Sequence, residues 1–466
     1  MIKSTDLQYS SAKLPEIGYP TVKPTVSEKT FRDRLSRLTA KMCENALDAV
    51  VIYADREHYG NFKFFTGVDP RFEEAVLVVH ADSSAYAVFG NECLNLAELS
   101  RIPVTPILCQ ALSLPNQPMD HFVSLEQTFR DCAIREGMKI GLVDWKLINE
   151  RYGTDFRHVT AMPAGLVEAL SVIVGDRKRL ITVTDMLISA DDGLRVCLEA
   201  DAIAELEYGA SVASQGVMDI IANAEPGLSE LELVAPAKTF GQQLSCHTYL
   251  VTGKRTREGM VSPASVKAEL GDEMVVSIGL EGGLTCRHAM LAKDGKDIRV
   301  DAEHYMEKVV KPYIAAAFNW IEMLELGACC GDIFDMVDSS FPHAQYGWSL
   351  NPGHLTAYEE WLSAPFYSGS KCTVRSGMIF QLDIIPNDAV YCAPNIEDGV
   401  LVADEALREQ IRRDYPEVYA RMMLRREFAE KVIGLKLKPE LMPMSNCFAW
   451  FNPYMMSKDM AVVVRK

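Results

Sequence analysis

Gly271-Asp-Glu-Met-Val-Val-Ser-Ile-Gly279, Ser376-Gly-Met-Ile-Phe-Gln-Leu-Asp383 and Asn395-Ile-Glu-Asp-Gly-Val-Leu-Val402 are the three stretches that decide the fold. Each holds a short apolar run of strand length, so strands are predicted over 273–278, 378–385 and 396–402. Segments 248–252 and 284–290 read the same way. Between them lie helical patterns: about 198–222, closed by Pro226-Gly227; one opening at Ser229, an N-cap candidate; 301–325; and 331–339. A charged helix over 404–432, whose arginines read as a solvated face, and a strand over 460–465 follow. Residues 220–232 and 321–334 resemble each other weakly, each leaving one helix and entering another through a glycine-containing turn. A site between two such halves draws residues from several strands.

The first half has a different grain. Residues 1–27 are polar, carry Pro15, Pro20 and Pro24, and read as an extended arm. A helix is expected from Phe31 to about Asn45. Strands are expected over 47–53, 74–80, 85–89 and 139–144, with a helical stretch near 124–136. Alternating helices and strands predict an α/β domain. The expected division is an arm at 1–27, an α/β domain at 28–190 and a second α+β domain at 191–466, whose extension is 404–466.

The chain has 466 residues, enough for two domains or a few more. Its 48% hydrophobic and 24% charged residues are those of a globular protein rather than a disordered or fibrous one. The net charge of −17 argues against nucleic acid as a partner, because phosphate binding needs a basic surface. The twelve cysteines form no C-x-x-C pair and read as reduced, buried small residues. The first twenty residues contain no apolar core of a secretory leader, and no run reaches the ~20 apolar residues of a membrane helix. A cytoplasmic location with no membrane partner is expected.

The three opening stretches resemble a known family. They match, in order and spacing, the G-D-x-h-h-h-D-x-G, P-G-M-x-F-x-x-E and R-I-E-D-x-V-L-V segments of the prolidase, Xaa-Pro aminopeptidase and creatinase family. The resemblance spans about residues 30–405. It implies an N-terminal creatinase-type α/β domain, a C-terminal pita-bread domain and a homodimer acting on a small-molecule substrate.

Family metallopeptidases hold two divalent metals on Asp, Asp, His, Glu and Glu. Here the first Asp position falls on Ser277, a neutral and weak ligand, and the second, eleven residues on, falls on His288. The His position has two alignments in Tyr346-Gly-Trp-Ser-Leu-Asn-Pro-Gly-His-Leu355: Trp348 in the ungapped frame, which is preferred, or His354. Asp383 stands at the first Glu position and Glu397 keeps the second. The family's pocket histidine falls on Met260. A dinuclear centre therefore reads as dismantled, since two carboxylates that would neutralise the ions are gone.

The resemblance then implies chemistry without a cofactor, as in creatinase: a hydrolase or lyase cleaving a C–N bond of a small zwitterionic or cationic substrate. His288, Asp383, Glu397 and His354 are the candidate catalytic residues. Met260, Ser277, Trp348, Arg255, Arg257 and Trp361 are the candidate pocket residues. Arg255 and Arg257 either grip a substrate carboxylate or form a solvated basic turn. Trp361, in Glu359-Glu360-Trp361, either stacks on a planar or cationic group or packs on the surface. Two alternatives remain. One is a single divalent metal (Mn, Fe or Zn) on His288, His354, Asp383 and Glu397, serving a peptidase-like hydrolase or a C–S lyase. The other is a non-catalytic binding module.

Overall fold

A computed structural model of the chain describes residues 1–299, 302–388 and 390–465. It divides into two compact units, one of residues 26–196 and one of residues 1–25 with 197–466.

The first strand, β1 (Leu7–Ser11), lies in the segment expected to be an arm and pairs antiparallel with the last strand of the chain. The unit 26–196 contains β2 (Ala49–Ala54), β3 (Ala75–His80), β4 (Ala85–Phe89), β5 (Thr105–Leu108), β6 (Ile140–Val143) and β7 (Leu180–Thr182). They form one mixed sheet in the order β5-β4-β3-β2-β6-β7. β2 and β3 are buried on every residue, which accounts for their makeup of Val, Ile, Leu and Ala, with Tyr53 and His80 the exceptions. Helix Glu28–Glu44 starts where Ser27 accepts a hydrogen bond from the Thr30 amide. The helix near 124–136 is shorter than expected, Leu125–Asp131. Cys132 caps it, and Ala133 turns into the left-handed region (φ 62°).

The larger unit is built on a seven-stranded antiparallel sheet. Its strands are β8 (Leu244–Thr252), β9 (Glu273–Leu280), β10 (Gly283–Met290), β11 (His354–Leu355), β12 (Met378–Leu382), β13 (Asn395–Val402) and β14 (Leu441–Pro443). They run in the order β11-β12-β13-β10-β9-β8, and β14 adds to β13. The final strand, β15 (Met460–Val464), is the partner of β1. The three opening sequence stretches are therefore β9, β12 and β13, all buried along their length.

Helix Ala200–Ala222 packs across β9 and β10. Gly209 makes this possible, because a side-chain carbon there would collide with the Glu281 carbonyl in the β9–β10 turn. The next helix, Glu230–Val234, opens with a complete capping box between Ser229 and Glu232. Residue 301, the expected start of the 301–325 helix, lies outside the described residues; the α-helical part is Lys311–Met323.

The 404–432 stretch is not one solvated helix. Pro416 divides it into Glu405–Asp414 and Pro416–Phe428, since proline cannot donate within a helix but is suited to its first turn. Two of its arginines face inward. Arg425 is fully buried against Glu207 of the 200–222 helix at 2.7 Å, and Arg421 also pairs with Glu207. The Ser211 hydroxyl donates to Glu207 at 2.7 Å. The extension is thus part of the unit's core. Among the described residues no helix is long and apolar enough to cross a membrane.

Candidate metal centre

Strand register assembles the site. Leu382 on β12 stands opposite Asp398 on β13, so the next residue, Asp383, comes level with Glu397. Glu397 is opposite Cys286 on β10, Cys286 opposite Ser277 on β9, and Ser277 opposite Tyr249 on β8. Because side chains alternate between faces, this row shares one face of the sheet. Short β11 brings His354 opposite Gln381, two residues before Asp383 and on the same face. Gly353, at φ 113°, permits the approach, because a Cβ there would meet both the Gln381 carbonyl and the Trp320 ring.

His354, Glu360 and Glu397 converge, with one ligand-capable atom from each within 4.8 Å of the others. His354 is fully buried, and its Nε2 lies 3.0 Å from Glu360 and 4.0 Å from Glu397. Its Nδ1 is 3.2 Å from the Leu355 carbonyl, which places a proton on Nδ1 and leaves Nε2 free to act as a donor atom. Nε2 and Asp383 Oδ1 are buried without a hydrogen-bond partner. The Trp361 ring stacks on His354 at 4.1 Å and 19°.

The electrostatics are those of crowded carboxylates. Burial, with Glu360 adding to it and His354 opposing, pushes Asp383 up to about 7. Burial pushes Glu397 well above the carboxylate range, and Asp383 and Glu360 push it further. Burial pulls His354 down, but the Glu360 carboxylate outweighs it and the net shift is upward. Shifts in this direction mean that the crowded carboxylates favour a positive charge, a proton or a cation, among them. Three carboxylates and one imidazole, two of their buried atoms unpartnered, are a donor set that fits one divalent cation.

The other candidate residues are placed elsewhere. His288 does not join His354. It faces Asn395, one residue pair along from Cys286, and its Nε2 lies 3.6 Å from Glu273. The eleven-residue count from Ser277 reaches His288, whereas the tight β9–β10 turn sets Cys286 opposite Ser277. Trp348 donates its Nε1 hydrogen to the Phe341 carbonyl at 2.7 Å and packs edge-on against Phe334, so His354 is the residue that enters the cluster. Ser277 is buried in the row beside Cys286. Met260 is 54% exposed, and its carbonyl lies 3.0 Å from His247 Nε2. Arg255 pairs with buried Glu230, and Arg257 with Glu273 at 3.2 Å and the Asp388 carbonyl at 2.6 Å. Glu360 was legible only as part of an acidic pair beside Trp361; nothing in its local sequence marks it as a ligand.

No family model matches the sequence, and no curated protein matches it. Solved structures do. The prolidase from Pyrococcus horikoshii OT3 superposes with a TM-score of 0.60 at 17% identity, over 80% of this chain and 95% of that one. The chain carries the pita-bread fold of the prolidases. Dipeptidase PepE from Mycobacterium ulcerans is similar at TM-score 0.61 and 17% identity, covering 81% of this chain and 95% of its own. A variant of Escherichia coli aminopeptidase P gives 0.56 and 13%, covering 81% and 93%. Among the described residues, two groups of side chains have the spacing to hold a metal ion: His354, Glu360 and Glu397, and separately Glu273, His288 and Cys392. The expectation of a chain needing no cofactor is corrected accordingly. It rested on counting lost aspartates, and the count missed Glu360.

Proposed function

We propose that this protein is a metal-dependent hydrolase that cleaves a C–N bond in a small zwitterionic or cationic molecule, using one divalent cation. His354, Glu360 and Glu397 hold the cation, and Asp383 stands beside it. The observation that carries this reading is the buried Nε2 of His354, 3.0 Å from Glu360 and 4.0 Å from Glu397 with no aligned hydrogen bond to either. A single ion is favoured over a pair because Ser277 and Cys286 stand in the row where carboxylates would be needed to neutralise a second.

When bound, the cation supplies Lewis acidity, polarising the bond under attack and acidifying water. The protein supplies the rest. Asp383 Oδ1, free of other partners, accepts the proton of the attacking water and returns it to the leaving nitrogen. Trp361 covers one face of His354 and remains 38% exposed, so its ring is both a water shield and a wall for a planar or cationic group. With a neutral His354, three carboxylates and a dication leave the cluster with one negative charge, which favours a cationic substrate.

The test is a hydrolysis panel of Xaa-Pro dipeptides, amidines and ureido acids with manganese- or zinc-loaded protein. Turnover of one class is expected, with Glu397→Gln lowering kcat/KM by more than the ~10–100-fold that loss of a supporting residue costs a metal site. Turnover that survives chelation, or that survives in Glu397→Gln, would overturn the reading.

A further inference from the structure

The second ligand-capable group lies along the same sheet and has a different character. Glu273 opens β9, His288 is near the end of β10, and Cys392 comes from the segment leading into β13. One donor atom of each lies within 4.8 Å of the others. Glu273 and Cys392 are buried, and the His288 side chain is 12% exposed. His288 Nε2 is buried, is 3.6 Å from Glu273 Oε2, and has no hydrogen-bond partner. The Glu273 carboxylate is held in place by two donors: Arg257 donates to Oε1 at 3.2 Å and the Thr256 hydroxyl to Oε2 at 2.9 Å.

We propose that Glu273, His288 and Cys392 form a second, zinc-type metal site, distinct from the His354 centre and independent of the function proposed for it. A thiolate, an imidazole and a carboxylate are the donor types zinc takes, and three protein ligands leave the fourth tetrahedral position open for water or a ligand atom. The donor chemistry separates the two sites. The oxygen-rich His354 group suits a harder ion such as manganese, while a thiolate selects zinc. Arg257 and Thr256 orient the carboxylate ligand in the way outer-shell partners do. Burial, with Glu273 adding to it, pushes the Cys392 thiol well up, so the thiol is protonated until a cation displaces the proton on binding. The thiolate and carboxylate together neutralise a dication, so Arg257 is left as a positive neighbour for an anionic ligand at the open position.

The experiment uses the full chain, stripped with a chelator and reloaded with cobalt(II) as a spectroscopic stand-in for zinc, in the wild type and in His354→Ala. Both are expected to show a thiolate-to-cobalt charge-transfer band, and after zinc loading and desalting His354→Ala should retain one zinc per chain. Cys392→Ser and His288→Gln should each abolish or shift that band, with thermal melts reporting whether each variant is folded. If Cys392→Ser does not fold, His288→Gln and the wild-type spectrum still decide. Absence of the band in the wild type, or its persistence unchanged in the folded His288→Gln variant, would overturn the proposal. Loss of hydrolysis in His354→Ala with the cobalt band intact would leave it standing whatever becomes of the proposed activity.

Discussion

Removing the Asp398 carboxylate should destabilise the larger unit severely. Asp398 follows Glu397 on β13 and therefore points to the opposite face of the sheet, where it receives Arg287 of β10 through two contacts of 3.0 and 2.9 Å. Both side chains are buried, and Arg287 also donates to the Cys286, Cys447 and Trp450 carbonyls at 2.6–2.8 Å. Burial pushes the Asp398 carboxyl up in spite of Arg287, while the pair as a whole raises Arg287 despite its burial. The two-contact geometry decides for an ionised pair. Breaking a buried pair leaves an uncompensated charge, at a cost of about 3–5 kcal/mol. For a unit of this size, residues 1–25 with 197–466, that is a fall in Tm of about 5–8 °C. Urea titrations of Asp398→Asn, Arg287→Met and the double variant measure it. Each single variant should lose about 3–5 kcal/mol, and the double should lose clearly less than the sum, because removing both charges removes the desolvation penalty too. A loss below about 1 kcal/mol in Asp398→Asn, or additivity within about 0.5 kcal/mol, would refute the reasoning.

Glu207 provides a pH test. Burial works against its ionised form, but Arg425, Arg421 and Ser211 outweigh this and hold it below its ordinary value of 4.5. A folded value below the unfolded one means stability that is fully present above about pH 4.5 and is lost as pH falls through the folded value. Acid unfolding curves of Glu207→Gln should therefore be flatter below pH 4.5 than those of the wild type; identical curves would sink the assignment. Trp361→Ala should raise KM more than it lowers kcat, since the ring walls the pocket; steady-state kinetics on whichever substrate the panel identifies would show the opposite split if the tryptophan were only packing. Gly209→Ala should lower stability by at least the ~1–3 kcal/mol of an overpacked core site, because the Glu281 carbonyl occupies the space of its Cβ; a denaturant midpoint equal to wild type would contradict that packing.

The fold was legible because its strands are rich in apolar residues over strand-length stretches, interrupted at a few positions such as Ser277, Gln381, Glu397 and Asp398. β2, β3, β9, β12 and β13 all begin within two residues of where hydrophobicity alone puts them. The pita-bread architecture was implied by the resemblance of the β9, β12 and β13 motifs to the prolidase, Xaa-Pro aminopeptidase and creatinase family. The site was less legible for physical reasons. Which of Trp348 and His354 enters the cluster depends on one glycine, Gly353, whose positive φ admits the β11 strand. Residue counting gave His288, but the shape of the β9–β10 turn sets the register, and one pair of slip moves a side chain about 7 Å along the face. Glu360 lies in irregular backbone, where no period marks its direction. The arginines of 416–428 read as a solvated face because Glu207, the acid that draws Arg421 and Arg425 inward, stands more than two hundred residues earlier.

The central claim is one divalent cation on His354, Glu360 and Glu397. Its most direct test is manganese(II) titration of chelator-stripped protein by calorimetry, with the metal content of the desalted complex read by plasma mass spectrometry. Manganese is the ion to use, because it favours the oxygen-rich group over the thiolate of Cys392. The account predicts one tightly held manganese per wild-type chain, and none in folded His354→Ala or Glu397→Gln. A wild-type chain that takes up no manganese, or variants that bind it as the wild type does, would contradict it.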